Sequence, residues 1–185
     1  MCGVLGAFST TNNLNKELFI QTLDKLNHRG PNDNGFENLH LKNGEILIGH
    51  KRLSILDLSN GGHQPMISRC KNYILSFNGE IYNYIELKKE FNISTKTNTD
   101  TEVLIELYAK LKEKMLDHLN GIFAFTIYDS ESKKIFCARD RLGIKPLYYF
   151  LSENGLVISS EIKGIINIEK NLKIINEDSL VNYLK

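Results

Sequence analysis

The sequence predicts an α+β layered domain, and three observations carry that expectation. Apolar residues recur at helical spacing in two long stretches, and short apolar or β-branched runs bounded by polar residues occur in groups between and after them. The third is size: 185 residues with 42% hydrophobic content, and neither repeats nor a low-complexity linker, suit one domain over 1–185 with a sizeable core.

The elements follow in order. Cys2-Gly3-Val4-Leu5-Gly6-Ala7-Phe8 is apolar enough for a buried strand. Leu14, Leu18, Phe19, Leu23 and Leu26 mark one face of a helix that stops at His28-Arg29-Gly30-Pro31, where basic side chains precede a Gly and a Pro. Glu45–Leu53 and Tyr73–Phe77 read as strands, and Tyr84–Phe91 as a helix. Val103, Leu104, Leu107, Tyr108 and Leu111 give a strongly amphipathic helix, which Thr99-Asp100-Thr101-Glu102 opens as a capping box. Strand-like runs follow at Ile122–Tyr128, Lys134–Ala138, Leu147–Leu151 and Leu156–Ser159. A last helix begins after Asn176 with Leu180, Val181 and Leu184 on one side; it either packs back on the domain or leads into something longer.

Composition excludes several classes of function. A formal charge of +1 creates no field that would recruit nucleic acid or an anionic membrane. No apolar run is long enough to span a bilayer and no signal peptide is legible, so the expected location is the cytoplasm. The three cysteines, Cys2, Cys70 and Cys137, lie far apart without zinc-ligand spacing, so they are expected to be reduced thiols with no metal site.

Cys2 carries the most chemical information. Removal of Met1 would leave a thiol and a free α-amine on one residue, a nucleophile with its own general base. The amine titrates near ~7.7 to 8.0 and a thiol near ~8.5, so the amine can take the thiol proton and return it to a leaving group at little cost. The competing reading is a small apolar residue opening a core strand.

Three segments could complete a site. Asn78 and the backbone N–H of Gly79 offer two neutral donors for a tetrahedral oxyanion; equally, Asn-Gly after a strand is a strong hairpin signal. Arg52, at a strand end, either clamps a carboxylate bidentately or is a solvated surface arginine. Asp100 either holds a substrate ammonium or sits at a helix N-terminus, where the dipole favours an acid.

Residues across nearly the whole chain resemble one family. Met1-Cys2-Gly3 is followed by His28-Arg29-Gly30-Pro31, Gly49-His50-Lys51-Arg52-Leu53-Ser54-Ile55 and Gly62-His63-Gln64-Pro65. Then come Phe77-Asn78-Gly79-Glu80-Ile81-Tyr82-Asn83, Thr99-Asp100-Thr101-Glu102, Asn120–Phe125, Arg139–Tyr149 and Ser160-Glu161. In this order they resemble the glutaminase domain of glutamine-hydrolysing asparagine synthetases, among the class II (N-terminal nucleophile) glutamine amidotransferases. One departure is Asn32-Asp33 after Pro31, where the family usually has Asp directly, and this leaves the details of that loop open.

The resemblance implies a four-layer αββα sandwich and hydrolysis of L-glutamine to glutamate and ammonia through a Cys2 thioester. It implies Asn78 and Gly79 as oxyanion donors, Arg52 for the substrate carboxylate and Asp100 for its ammonium, with Glu80, Ile55 and Leu56 shaping the pocket. Asp140, Arg141 and Lys145 are expected to serve structure or an interface. A synthetase domain using ATP and Mg²⁺ would normally be fused after Lys185. Its Ser-Gly-Gly-x-Asp-Ser loop does not occur in these residues, so no cofactor is expected for this domain. A homodimer is compatible with the resemblance. Two other readings stand beside this one: the same glutaminase chemistry serving a different amide-forming acceptor, and a non-catalytic glutamine-binding module.

Overall fold

A computed structural model describes residues 1–55, 57–172 and 174–184. Among these residues nine strands form two antiparallel sheets. In the first sheet β1 (Gly3–Ser9) lies at the centre, between β3 (Gly44–Arg52) on one side and β9 (Gly155–Ser159) on the other. β2 (Asp33–Leu41) and β8 (Tyr148–Ser152) form its edges. The second sheet runs β4 (Met66–Ile67), β5 (Tyr73–Ile81), β6 (Gly121–Asp129) and β7 (Lys134–Arg139). The helices are α1 (Lys16–Asp24), α2 (Tyr84–Glu90), α3 (Asp100–Leu111), α4 (Ile162–Ile168) and α5 (Glu177–Tyr183).

Alternation along each strand divides the core into three layers of contact. Phe8, Ile46, Ile48 and Ile158 of the first sheet meet Ile74 and Tyr128 of the second, so the two sheets stack face to face. The opposite face of the first sheet offers Leu5, Ala7, Leu47 and Val157 to Phe19 and Leu23 of α1 and Ile165 of α4. The opposite face of the second offers Leu75, Phe77, Phe125 and Ile127 to Leu87 of α2 and to Val103, Leu104, Leu107 and Tyr108 of α3. The order is therefore helix, sheet, sheet, helix, the four-layer sandwich that was expected. Each fully buried Leu, Ile or Phe contributes roughly 1.5–3 kcal/mol by leaving water.

Several local expectations change in the folded chain. The Asn78-Gly79 turn does not form, because β5 runs straight through it to Ile81, with Asn78 opposite Ala124 and Gly79 opposite Phe123. Glycine is needed there for a close approach. A Cβ on Gly79 would lie 2.7 Å from the Phe123 Cα and run into the Ile122 carbonyl oxygen. The capping box at α3 is only half made. Thr99 accepts the Glu102 N–H at 3.2 Å, but the Glu102 carboxylate turns away to the N–H groups of Lys96 and Thr97. α5 begins at its Asn176 cap, yet Leu180, Val181 and Leu184 stay exposed, so it does not pack back on the domain. Among the described residues no helix is long and apolar enough to cross a membrane.

Candidate active site

Strand parity decides which side chains meet between the sheets. Cys2 continues the inward-facing series of β1 that includes Phe8, and Arg52 and His50 continue the series of Ile46 and Ile48 on β3. On β5, Ser76 and Asn78 alternate with the outward Leu75 and Phe77. The sandwich is therefore apolar at the Phe8 end and polar at the Cys2 end. There Cys2, Arg52, Ile55, Asn78, Gly79 and Glu80 line one cleft of about 290 Å³. A larger groove of about 820 Å³ opens at the other end, around Phe8, Ile46 and Tyr128, and includes none of these residues.

The centre of the cleft is a set of contacts between residues remote in sequence. Asn78 Oδ1 accepts the Cys2 N–H at 3.0 Å, across 76 positions of chain. Met1 precedes Cys2 here, so this nitrogen is a peptide N–H standing where an α-amine would be once Met1 is removed; Met1 itself is half exposed. With its oxygen engaged, Asn78 keeps a buried Nδ2 that has no partner among the described residues. Leu53 holds the sulfur, its N–H donating to Sγ at 3.3 Å and its carbonyl facing Sγ at 3.7 Å. Arg29 Nε donates to the Cys2 carbonyl at 2.9 Å, and so fixes the other side of the residue.

Gly79 supplies a second donor by the geometry of its ladder. Its partner Phe123 spends both backbone groups on Asp140, the N–H to Oδ2 at 3.2 Å and the carbonyl accepting the Asp140 N–H at 2.8 Å. The Gly79 N–H therefore faces away from β6, towards the edge of the sheet where the cleft lies. On the same edge the Ile81 N–H is taken by Asp100 Oδ2 at 3.0 Å.

Electrostatics at the site follow from burial and its exceptions. Burial pushes the Cys2 thiol above its ordinary range, against the pull of the Leu53 backbone and the charges of Arg52 and Lys145. Burial likewise raises Asp100, with the Ile81 N–H opposing and Glu80 adding to it. Burial also works against Glu161, but hydrogen bonds from Lys163, His28 and Arg29 outweigh it and hold the carboxyl down to about 2. This explains His28-Arg29 and Ser160-Glu161 together: Glu161 anchors Arg29, which anchors Cys2.

His50 is fully buried, with Nδ1 3.0 Å from Ser76 Oγ across the two sheets, and burial lowers its pKa to about 3. The unfolded chain takes up this proton near ~6.5 while the folded chain refuses it. Stability should be complete above that pH and fall as pH drops from there towards 3, by up to ~1.4 kcal/mol per unit. Urea midpoints measured across this range should therefore slope steeply for the parent and flatten for His50→Gln.

Not every expected residue takes the expected place. Arg52 is no surface arginine: it is 7% exposed, and its guanidinium donates to the Ser59 carbonyl at 2.8 Å and to the Asp57 carbonyl. Asp100 is the first residue of α3, and although Thr99 and Thr101 line the cleft, Asp100 itself does not. Lys145, expected to serve structure or an interface, lines the cleft, whereas Asp140 accepts the N–H groups of Ile144 and Lys145. Leu56 lies outside the described residues. Leu53 and Gln64 fall inside motifs that carry the resemblance, but no role was expected of either, because what they do depends on backbone groups of strands remote in sequence. Among the described residues no group of three His, Cys, Asp or Glu side chains is arranged to hold a metal ion.

Comparison with known proteins places this geometry in context. A family model described as a glutamine amidotransferase domain matches residues 1–185. The chain is 42% identical to a putative glutamine-hydrolysing asparagine synthetase 2 of Methanocaldococcus jannaschii, over 99% of this chain and 39% of that protein. It is 36% identical to asparagine synthetase B of Escherichia coli, over 94% of this chain and 31% of that protein. The chain thus spans well under half the length of these relatives. A solved structure of glutamine phosphoribosylpyrophosphate amidotransferase from B. subtilis shares the fold, with a TM-score of 0.72 and 23% identity over 91% of this chain and 44% of that one.

Proposed function

Since the chain belongs to the glutamine amidotransferase domain family, we propose that it hydrolyses L-glutamine to glutamate and ammonia with Cys2 as nucleophile, as the ammonia-supplying part of a glutamine-dependent asparagine synthetase. The observation that supports this reading best is the orphaned Asn78 Nδ2. A buried amide nitrogen without a partner costs ~1–3 kcal/mol, and here it lies in the same cleft as a thiol and an outward-facing N–H of Gly79.

In this reading, removal of Met1 turns the Cys2 nitrogen into an amine whose N–H still donates to Asn78 Oδ1 while its lone pair faces the thiol. The sulfur attacks the side-chain carbonyl carbon of glutamine as the amine accepts the thiol proton. The oxyanion is received by Asn78 Nδ2 and the Gly79 N–H. Collapse of the tetrahedral adduct breaks the C–N bond, the ammonium of Cys2 returns its proton to the leaving nitrogen, and ammonia departs from a thioester. Water, deprotonated by the same amine, then attacks the thioester and releases glutamate and the thiol. In the chain that retains Met1, burial raises the thiol pKa; in the proposed reading the thiol gives its proton to the amine as it attacks.

Arg52 receives the α-carboxylate with the N–H groups not spent on the Ser59 and Asp57 carbonyls, and Glu80 in the cleft offsets the α-ammonium, with Asp100 adding its charge from outside the cleft wall. Arg52→Lys should raise KM for glutamine by roughly 10- to 100-fold with a smaller change in kcat, because a charge-assisted hydrogen bond is worth ~1.5–3 kcal/mol and lysine lacks the fork. An unchanged KM would remove Arg52 from the substrate site. Ammonia would pass to a separate synthetase domain, the only part for which ATP and Mg²⁺ are expected. The decisive experiment is a glutaminase assay with N-terminal sequencing of the same sample. Release of glutamate by material that begins at Cys2 supports the reading, and intact glutamine with such material refutes it.

A further inference from the structure

The β5 edge that faces the cleft has three successive outward N–H groups, at Phe77, Gly79 and Ile81, and among the described residues no strand pairs with them. β4 ends its pairing with β5 at Leu75, opposite Met66. Beyond that point Gln64 takes the strand's place. Its Oε1 accepts the Phe77 N–H at 2.7 Å and its Nε2 donates to the Phe77 carbonyl at 3.2 Å, so one carboxamide makes both bonds of a ladder pair. Gln64 is 4% exposed, and its own segment is tied to the first sheet. The neighbouring His63 meets Asp33 at 2.8 Å, and the Gln64 backbone lies so close to Gly35 that a Cβ there would overlap it. On the far side of Gly79, Asp100 takes the Ile81 N–H. The outcome is selective: the first and third outward N–H groups are occupied, and the one between them is left for the cleft.

We propose that Gln64 is a positioning residue for the oxyanion pocket, acting as a one-residue surrogate strand that holds Phe77 and thereby aims the Asn78 amide and the Gly79 N–H. This rests on the glutaminase reading above and adds to it a residue that does no chemistry itself. Removal of the carboxamide leaves the outward N–H and carbonyl of Phe77 unpaired, so that the backbone ahead of Asn78 is hydrogen-bonded on its β6 side only. Donors must sit within a few tenths of an ångström of the developing oxyanion to be effective.

The test compares the parent, Gln64→Leu and Gln64→Glu, each trimmed to Cys2, by steady-state glutamine hydrolysis across pH together with thermal midpoints. Gln64→Leu should lower kcat by roughly 10- to 100-fold at every pH, the scale expected for a misplacement near 1 Å, with KM within about threefold. Gln64→Glu supplies the readout that a merely structural role would not move. An ionised carboxylate accepts the Phe77 N–H but repels its carbonyl, whereas the protonated acid reproduces the glutamine pattern of one acceptor and one donor. Its kcat deficit relative to the parent should therefore shrink as pH is lowered, while that of Gln64→Leu stays constant. The proposal is overturned if Gln64→Leu keeps kcat within threefold, if the loss lies in KM alone, or if the kcat deficit of Gln64→Glu does not change with pH. Should Gln64→Leu fail to fold, the isosteric Gln64→Glu decides by the same pH criterion. A trimmed parent that leaves glutamine intact refutes the glutaminase reading itself, a result distinguishable from an active parent with indifferent variants.

Discussion

Cys2→Ala should abolish glutamine hydrolysis, with a loss on the order of 10⁴-fold or more, since removal of a covalent nucleophile takes away the step on which the other groups act. The fold should survive the change. Among the described residues the sulfur makes two contacts of hydrogen-bonding type, both with the Leu53 backbone, and its neighbours Gly3, Val4 and Leu5 are held by β3 independently of it. The thermal midpoint is therefore expected to move little while activity vanishes. Cys2→Ser should fall between parent and Cys2→Ala, because the amine can serve a hydroxyl but serine is the weaker nucleophile. A form that retains Met1 should be as inactive as Cys2→Ala, since an amide nitrogen has no basic lone pair. Activity within tenfold of the parent in Cys2→Ala would place the chemistry elsewhere.

Asn78→Ala carries the second largest effect. If Asn78 is an oxyanion donor as proposed, its truncation should lower kcat by ~10² to 10³, about 2.7–4 kcal/mol of transition-state stabilisation. The same truncation frees the Cys2 nitrogen from Oδ1, its 3.0 Å partner, so the upper end of that range is expected. KM should change less, because the ground-state carbonyl is a poor ligand for donors placed for an oxyanion. Asn78→Asp should be at least as damaging, since it puts an anion where negative charge develops. A loss under tenfold in Asn78→Ala would reduce Asn78 to a strand residue. Steady-state kinetics with circular dichroism on the same samples separate these outcomes from misfolding.

Much of the layered architecture was legible because it rests on local periodicity. The α3 stripe of Val103, Leu104, Leu107 and Tyr108 is buried as read, and the strands after it begin and end within a residue or two of their apolar runs. β2 and α4 were not anticipated. Asp33–Leu41 opens with Asp-Asn-Gly, a turn-like signature, and becomes an edge strand because Gly44–Arg52 offers it nine paired positions. α4 has seven residues, too few for a period to declare itself. The same competition decided Asn78-Gly79. The turn preference of the dipeptide is weaker than continuous pairing of β5 with β6, and the missing Cβ is used for strand contact rather than for a bend.

The site shows a similar division. Resemblance singled out Cys2, Arg52, Ile55, Asn78, Gly79 and Glu80, and the fold brings all six into one cleft. It did not foresee that the Arg52 fork engages loop carbonyls, that Asp100 is bonded to the β5 backbone, or that Leu53 and Gln64 hold the sulfur and the strand edge. Each of these depends on which backbone groups are left unpaired after the sheets assemble.

By itself the sequence determined the residue types available for chemistry, the helices and strands that carry them, and the family to which they belong, since these depend on neighbours a few positions apart or on ordered motifs. Tertiary structure alone decided which donors remain free. Whether the amide of Asn78 or the N–H of Gly79 is occupied depends on Cys2, Gln64, Phe123 and Asp100, residues brought together only by sheet pairing and stacking. Hydrogen bonding saturates: a group engaged by one partner is lost to another, so the donors available to a substrate are known only when every competing partner has its place.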